Sequence, residues 1–94
     1  MKLAVIGTGL IGASVGLAAK RRGAVVAGFD SDPGTAKAAA ERGAIDEFGG
    51  TLEAALAGAE LAVVAVPVSQ LAVQVRAVLE ASGEGTTVTD VGST

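Results

Sequence analysis

The four-residue apolar run Leu3-Ala4-Val5-Ile6 passes directly into Gly7-Thr8-Gly9-Leu10-Ile11-Gly12, and that junction constrains the fold more than any other feature. A short, continuous apolar run that stops at glycine is what a strand buried on both faces of a parallel sheet requires. Beyond the glycines, Ile11, Val15, Ala18 and Ala19 recur at helical spacing, Lys20, Arg21 and Arg22 fill the last turn, and Gly23 ends the segment. A strand followed by a glycine turn and a helix is the opening of a βαβ unit.

The rest of the chain repeats this alternation. Ala24 to Phe29 reads as a second buried strand ending at Asp30. Asp32 and Pro33 then open a helix as N-cap and first helical residue, running to about Arg42 and closed by Gly43. Ala44 to Phe48 allows a short third strand, and Thr51 caps a brief helix ending near Gly58. Leu61 to Val66 is the strongest strand, stopped by Pro67, and Leu71, Val75, Val78 and Leu79 mark an amphipathic helix after it. Thr86 to Val91 is a β-branched final strand.

Strands alternating with helices imply a Rossmann-type, doubly wound parallel sheet of about five strands in the order 3-2-1-4-5, with helices on both faces. Residues 1–94 form one domain, which buries roughly 60–65% of its unfolded surface. There is no internal repeat and no low-complexity linker. The sequence stops just after a strand, which reads as an incomplete sheet and a piece of a longer chain.

Composition excludes several function classes. A net charge of −3 gives no basic face for nucleic acid. The absence of cysteine removes disulfides and thiolate metal sites, and no metal site is expected. Neither a signal peptide nor an apolar run of membrane-spanning length is present, so a cytoplasmic protein without a membrane partner is expected. The absence of histidine removes the commonest general acid or base, so a complete catalytic apparatus must use other groups or lie elsewhere.

The glycine turn has a specific chemical meaning in this context. Gly7 permits a tight turn, Gly9 lets a diphosphate approach the backbone, and Gly12 lets the helix pack close to the strand. The helix N-terminus supplies free amides and the positive end of its dipole. Asp30 lies 18 positions after Gly12, at the end of the second strand, where a carboxylate accepts hydrogen bonds from the adenosine ribose. The alternative for Asp30 is a plain turn cap, a role that Asp32 already fills nearby. A carboxylate there repels a 2′-phosphate, and Ser31-Asp32 offers no arginine, so NAD is favoured over NADP as cofactor.

In a 3-2-1-4-5 sheet the ligand crosses between the first and fourth strands, outside their carboxyl ends. That places Val66, Pro67 and Val68 opposite the glycine turn, with Pro67 shaping the floor near the nicotinamide ribose while also terminating the strand. Ser93, in the terminal Gly92-Ser93-Thr94, lies at the same rim. It either bonds a substrate oxygen or, like Thr94, caps a following helix; spacing leaves both open.

These elements together resemble the prephenate/arogenate dehydrogenases, the NAD(P)-dependent enzymes of tyrosine biosynthesis. The resemblance is carried by Val5 to Ser14, by Gly28-Phe29-Asp30 with Asp32-Pro33, by Val64 to Val68, and above all by Thr89-Asp90-Val91-Gly92-Ser93-Thr94. It implies an oxidative decarboxylation in which hydride passes from a cyclohexadienyl carbinol carbon to NAD, carbon dioxide departs and the ring becomes aromatic. It assigns Ser93 the contact with the substrate hydroxyl, beside a family histidine that this sequence lacks. It also implies a downstream helical domain carrying that histidine, a substrate-binding arginine and a homodimer interface. The chain alone is then expected to bind cofactor without turnover. Two other readings stand beside this one. One is the nucleotide-binding domain of another hydroxyacid-type NAD(P)-dependent dehydrogenase or reductase; the other is a non-catalytic NAD-sensing module.

Overall fold

A computed structural model describes residues 1–91. The element order is β1 (Lys2–Ile6), α1 (Leu10–Arg21), β2 (Val25–Phe29), α2 (Pro33–Glu41), β3 (Glu47–Phe48), α3 (Leu52–Leu56), β4 (Leu61–Val64), α4 (Val68–Ala81) and β5 (Thr87–Asp90). The five strands form one parallel sheet in the order β3-β2-β1-β4-β5, as expected from the alternation. Two apolar layers sandwich it. Ala4, Ile6, Ala62 and Val64 face α3 and α4, whereas Leu3, Val5, Val26 and Val63 face α1 and α2. Alternate side chains of β1 and β4 are buried on opposite faces, which is why these strands read as unbroken apolar runs.

The buried face of α1 differs from the expected one. Ile11 and Ala18 are exposed, Val15 and Ala19 are half-buried, and the residues against the sheet are Gly12, Ala13 and Gly16. Close approach is the cause: a Cβ on Gly16 would lie 2.2 Å from the carbonyl oxygen of Ala44. At that separation only the smallest residues fit inside, and the larger apolar side chains are turned outward. In α4, Val78 is fully buried and Leu71 and Val75 are partly buried, but Leu79 is 58% exposed. The helix therefore presents a narrower stripe than its sequence spacing indicated.

Strand β3 is shorter than the expected Ala44–Phe48. Ala44 and Ile45 are buried, yet they precede the ladder. Asp46 starts it with both its backbone and its side chain: its N–H donates to the Val26 carbonyl (2.8 Å), and its Oδ2 accepts from the Val26 N–H (2.7 Å). Strand β4 likewise stops at Val64, with Ala65 and Val66 buried beyond it. Helix α2 begins as expected, Asp32 Oδ1 accepting from Gly34 N–H at 3.0 Å with Pro33 at the first position. Thr51 caps α3 in the same way through Ala54 N–H. No helix among the described residues is long and apolar enough to cross a membrane.

Candidate functional site

The carboxyl ends of β1, β2 and β4 open into a crevice of about 440 Å³ at the point where the strand order reverses. Its walls are Ile6, Gly7, Gly9, Leu10 and Ile11 on one side, Phe29, Asp30 and Ser31 on the second, and Ala65, Val66, Pro67, Gln70 and Gln74 on the third. This is where an open α/β sheet binds ligands.

Backbone geometry shapes the first wall. Gly7 has φ +95°, and a Cβ on it would sit 2.4 Å from the Ala65 carbonyl oxygen, so neither the turn nor its contact with the β4 end admits a side chain. Its N–H donates to Phe29 O (2.8 Å), tying the turn to the end of β2. Gly9 has nothing within 4 Å of where a Cβ would project. It is the N-cap of α1 and makes no side-chain cap, unlike Asp32 and Thr51 at α2 and α3. The first backbone bond of α1 runs from Ala13 N–H to Gly9 O at 2.8 Å, so the amides of Leu10, Ile11 and Gly12 precede the helical ladder. The result is a cradle of unpaired amides at the positive end of a helix dipole, open on its outer side, which suits a diphosphate.

The second wall supplies the charge. Asp30 is the one charged side chain lining the crevice among the described residues. Its Oδ2 accepts from the Thr8 N–H (2.8 Å) and the Thr8 hydroxyl (3.1 Å), and its Oδ1 accepts from the Asp32 N–H (2.9 Å). Asp30 therefore braces the turn, as the turn-cap alternative requires, and also lines the crevice.

Of the residues singled out from the sequence, Gly7, Gly9, Leu10, Ile11, Asp30, Val66 and Pro67 meet around this crevice. Three do not line it. Thr8 is buried behind Asp30, Gly12 is packed under the turn, and Val68 is a surface residue at the start of α4, because Pro67 turns the chain away from the opening. Ser93, with Gly92 and Thr94, lies outside the described residues. Sequence reasoning missed Gln70 and Gln74. Their i, i+4 spacing immediately after Pro67 places them on one face of α4, and that spacing was the available signal.

The sequence model of the prephenate dehydrogenase nucleotide-binding domain matches residues 15–94. The chain belongs to this family. The matched span begins inside α1, after the glycine turn, so the assignment and the geometry of the cradle are independent observations.

Solved structures of several dehydrogenases share the fold of this prephenate dehydrogenase family member. An arogenate dehydrogenase from Synechocystis is 32% identical with a TM-score of 0.91, over 99% of this chain and 33% of that one. Prephenate dehydrogenase from Aquifex aeolicus, solved in complex with hydroxyphenyl propionate and NAD+, shares the fold at 24% identity and a TM-score of 0.85, over 99% of this chain and 34% of that one. A 3-hydroxyisobutyrate dehydrogenase from Mycobacterium tuberculosis is 27% identical with a TM-score of 0.83, over 97% of this chain and 31% of that one. The chain thus spans about a third of the length of these relatives. No curated protein sequence matches it.

Proposed function

We propose that this chain is the NAD-binding domain of a prephenate or arogenate dehydrogenase. The observation that carries the reading is the joint geometry of Gly9 and Asp30. An open cradle of helix-terminal amides lies beside a carboxylate fixed at the end of β2, and both face one crevice. The amides of Leu10 and Ile11 hold the diphosphate, and Asp30 accepts from the adenosine ribose hydroxyls. Leu10 and Ile11, both exposed at the rim, together with Val66 and Pro67, border the path towards the nicotinamide ribose. With no lysine or arginine among the described crevice residues to receive a 2′-phosphate, the site favours NAD over NADP.

Bound NAD supplies the hydride acceptor. The chain's own residues bind and orient it: the turn sets the diphosphate, and Asp30 sets the adenosine end. Ser93 contacts the substrate hydroxyl in this reading. The proton acceptor comes from outside these 94 residues, which contain no histidine. A further helical domain supplies it, together with the rest of the substrate pocket and a homodimer interface. The presence of further chain in such enzymes is supported by the one-third coverage of the solved relatives. The enzyme works in the cytoplasm, in tyrosine biosynthesis.

Calorimetric titration of this chain with NAD and NADP tests the cofactor assignment. NAD is expected to bind and NADP to bind more weakly; NADP binding more tightly would overturn it. Assay of the longer parent protein with prephenate and with arogenate tests the reaction, and turnover of neither would overturn that part.

A further inference from the structure

Thr8 is the buried polar residue among the described residues, 3% exposed, and its side chain does not reach the crevice. Its methyl carbon lies where a Cβ on Gly28 would meet it at 3.0 Å, so the side chain is wedged between the turn and β2. Its hydroxyl is aimed at Asp30 Oδ2, which also accepts the Thr8 N–H. A carboxylate oxygen has two lone-pair directions. Thr8 occupies both on Oδ2, whereas Asp32 N–H takes only one on Oδ1.

We propose that Thr8 is a positioning residue for dinucleotide choice: its hydroxyl fixes the rotation of the Asp30 carboxylate so that Oδ1 is the oxygen left to receive the ribose. This rests on the crevice being a dinucleotide site. A short carboxylate at a strand end facing open space rotates freely unless donors hold it. Here the donors come from two different loops, the glycine turn and the start of α2. A pinned carboxylate offers the ribose a preset acceptor and cannot swing aside for a 2′-phosphate. Preorganisation of this kind favours the ligand that matches and penalises the one that does not.

Thr8→Val keeps the shape and the backbone N–H and removes only the hydroxyl; Thr8→Ser keeps the hydroxyl and removes the methyl. Calorimetric titration of both variants with NAD and NADP, in the native and the Asp30→Ala background, tests the proposal. Thr8→Val is expected to weaken NAD by about tenfold, the scale of one hydrogen bond to a charged group, and to change NADP by less than about twofold. Thr8→Ser is expected to retain the native NAD-to-NADP ratio even if it melts earlier. In the Asp30→Ala background, Thr8→Val should leave the ratio unchanged.

Equal weakening of both dinucleotides by Thr8→Val, or a ratio change that persists without Asp30, would overturn the assignment by making Thr8 a plain loop brace. If the valine variant does not fold, Thr8→Ala against Thr8→Ser gives the same comparison. A native chain that prefers NAD while Thr8→Val keeps its ratio overturns only the role of Thr8. A native chain that binds neither dinucleotide overturns the crevice reading and this inference together.

Discussion

A Cβ placed on Gly12 would lie 1.8 Å from the carbonyl oxygen of Gly7. The third glycine of the turn is therefore packed against the first, and α1 is held to the end of β1 by backbone contact. Backbone on both sides leaves no flexible atom to yield. Gly12→Ala is expected to destabilise the fold by about 3 kcal/mol or more, at the upper end of overpacking costs. Denaturant unfolding checks this, and a variant as stable as the native chain would contradict the packing described.

Gly9→Ala separates binding from folding. The space beyond Gly9 is empty and its φ is −69°, so alanine meets no clash there. A stability change under about 1 kcal/mol is expected, in the range of an N-cap substitution. In the proposed binding mode the added methyl enters the space assigned to the diphosphate, and NAD affinity is expected to fall by about tenfold or more, equivalent to about 1.4 kcal/mol. Paired unfolding and titration measurements read both effects.

The two aspartates of the β2–α2 loop are expected to separate stability from binding. Asp32→Ala removes the α2 cap at Gly34 N–H and is expected to cost about 1 kcal/mol of stability with little effect on cofactor affinity. Asp30→Ala is expected to weaken NAD much more than NADP. A titration in which Asp32→Ala has the larger effect on NAD would reverse these roles.

Asp46 gives the fold a pH dependence. The Val26 N–H, and then the Lys20 ammonium 3.0 Å from Oδ1, hold its carboxyl below the ordinary value of 3.8. The stability it contributes is present above that ordinary value and is lost as pH falls through the depressed folded-state value. Asp46→Asn is expected to be less stable than the native chain at neutral pH, and the difference to close on acidification below about pH 4. Melting curves across that range check it; a gap that widens in acid would contradict the assignment.

The sheet order, the glycine turn and the acidic end of β2 were legible because backbone requirements write directly into sequence. A doubly buried strand must be apolar throughout, and a turn pressed against another backbone must be glycine. The buried face of α1 was not legible. Its large apolar residues mark the periodicity, but the close approach of the helix to the backbone of Gly7 and Ala44, which Gly12 and Gly16 permit, decides which ones go inside. The start of β3 was hidden because the Asp46 side chain substitutes for a ladder partner, which no hydrophobic pattern records. The Thr8–Asp30 bond joins residues 22 apart and leaves no local trace beyond a polar residue between two glycines.

Amide chemical-shift mapping of the isotopically labelled chain during NAD titration reads the crevice residue by residue. The largest shifts are expected at Gly7, Gly9, Leu10, Ile11 and Asp30, with NADP at the same concentration producing smaller ones. Shifts centred instead on the opposite end of the sheet, around Gly58 and Gly85, or none at the glycine turn, would contradict the dinucleotide reading of the crevice.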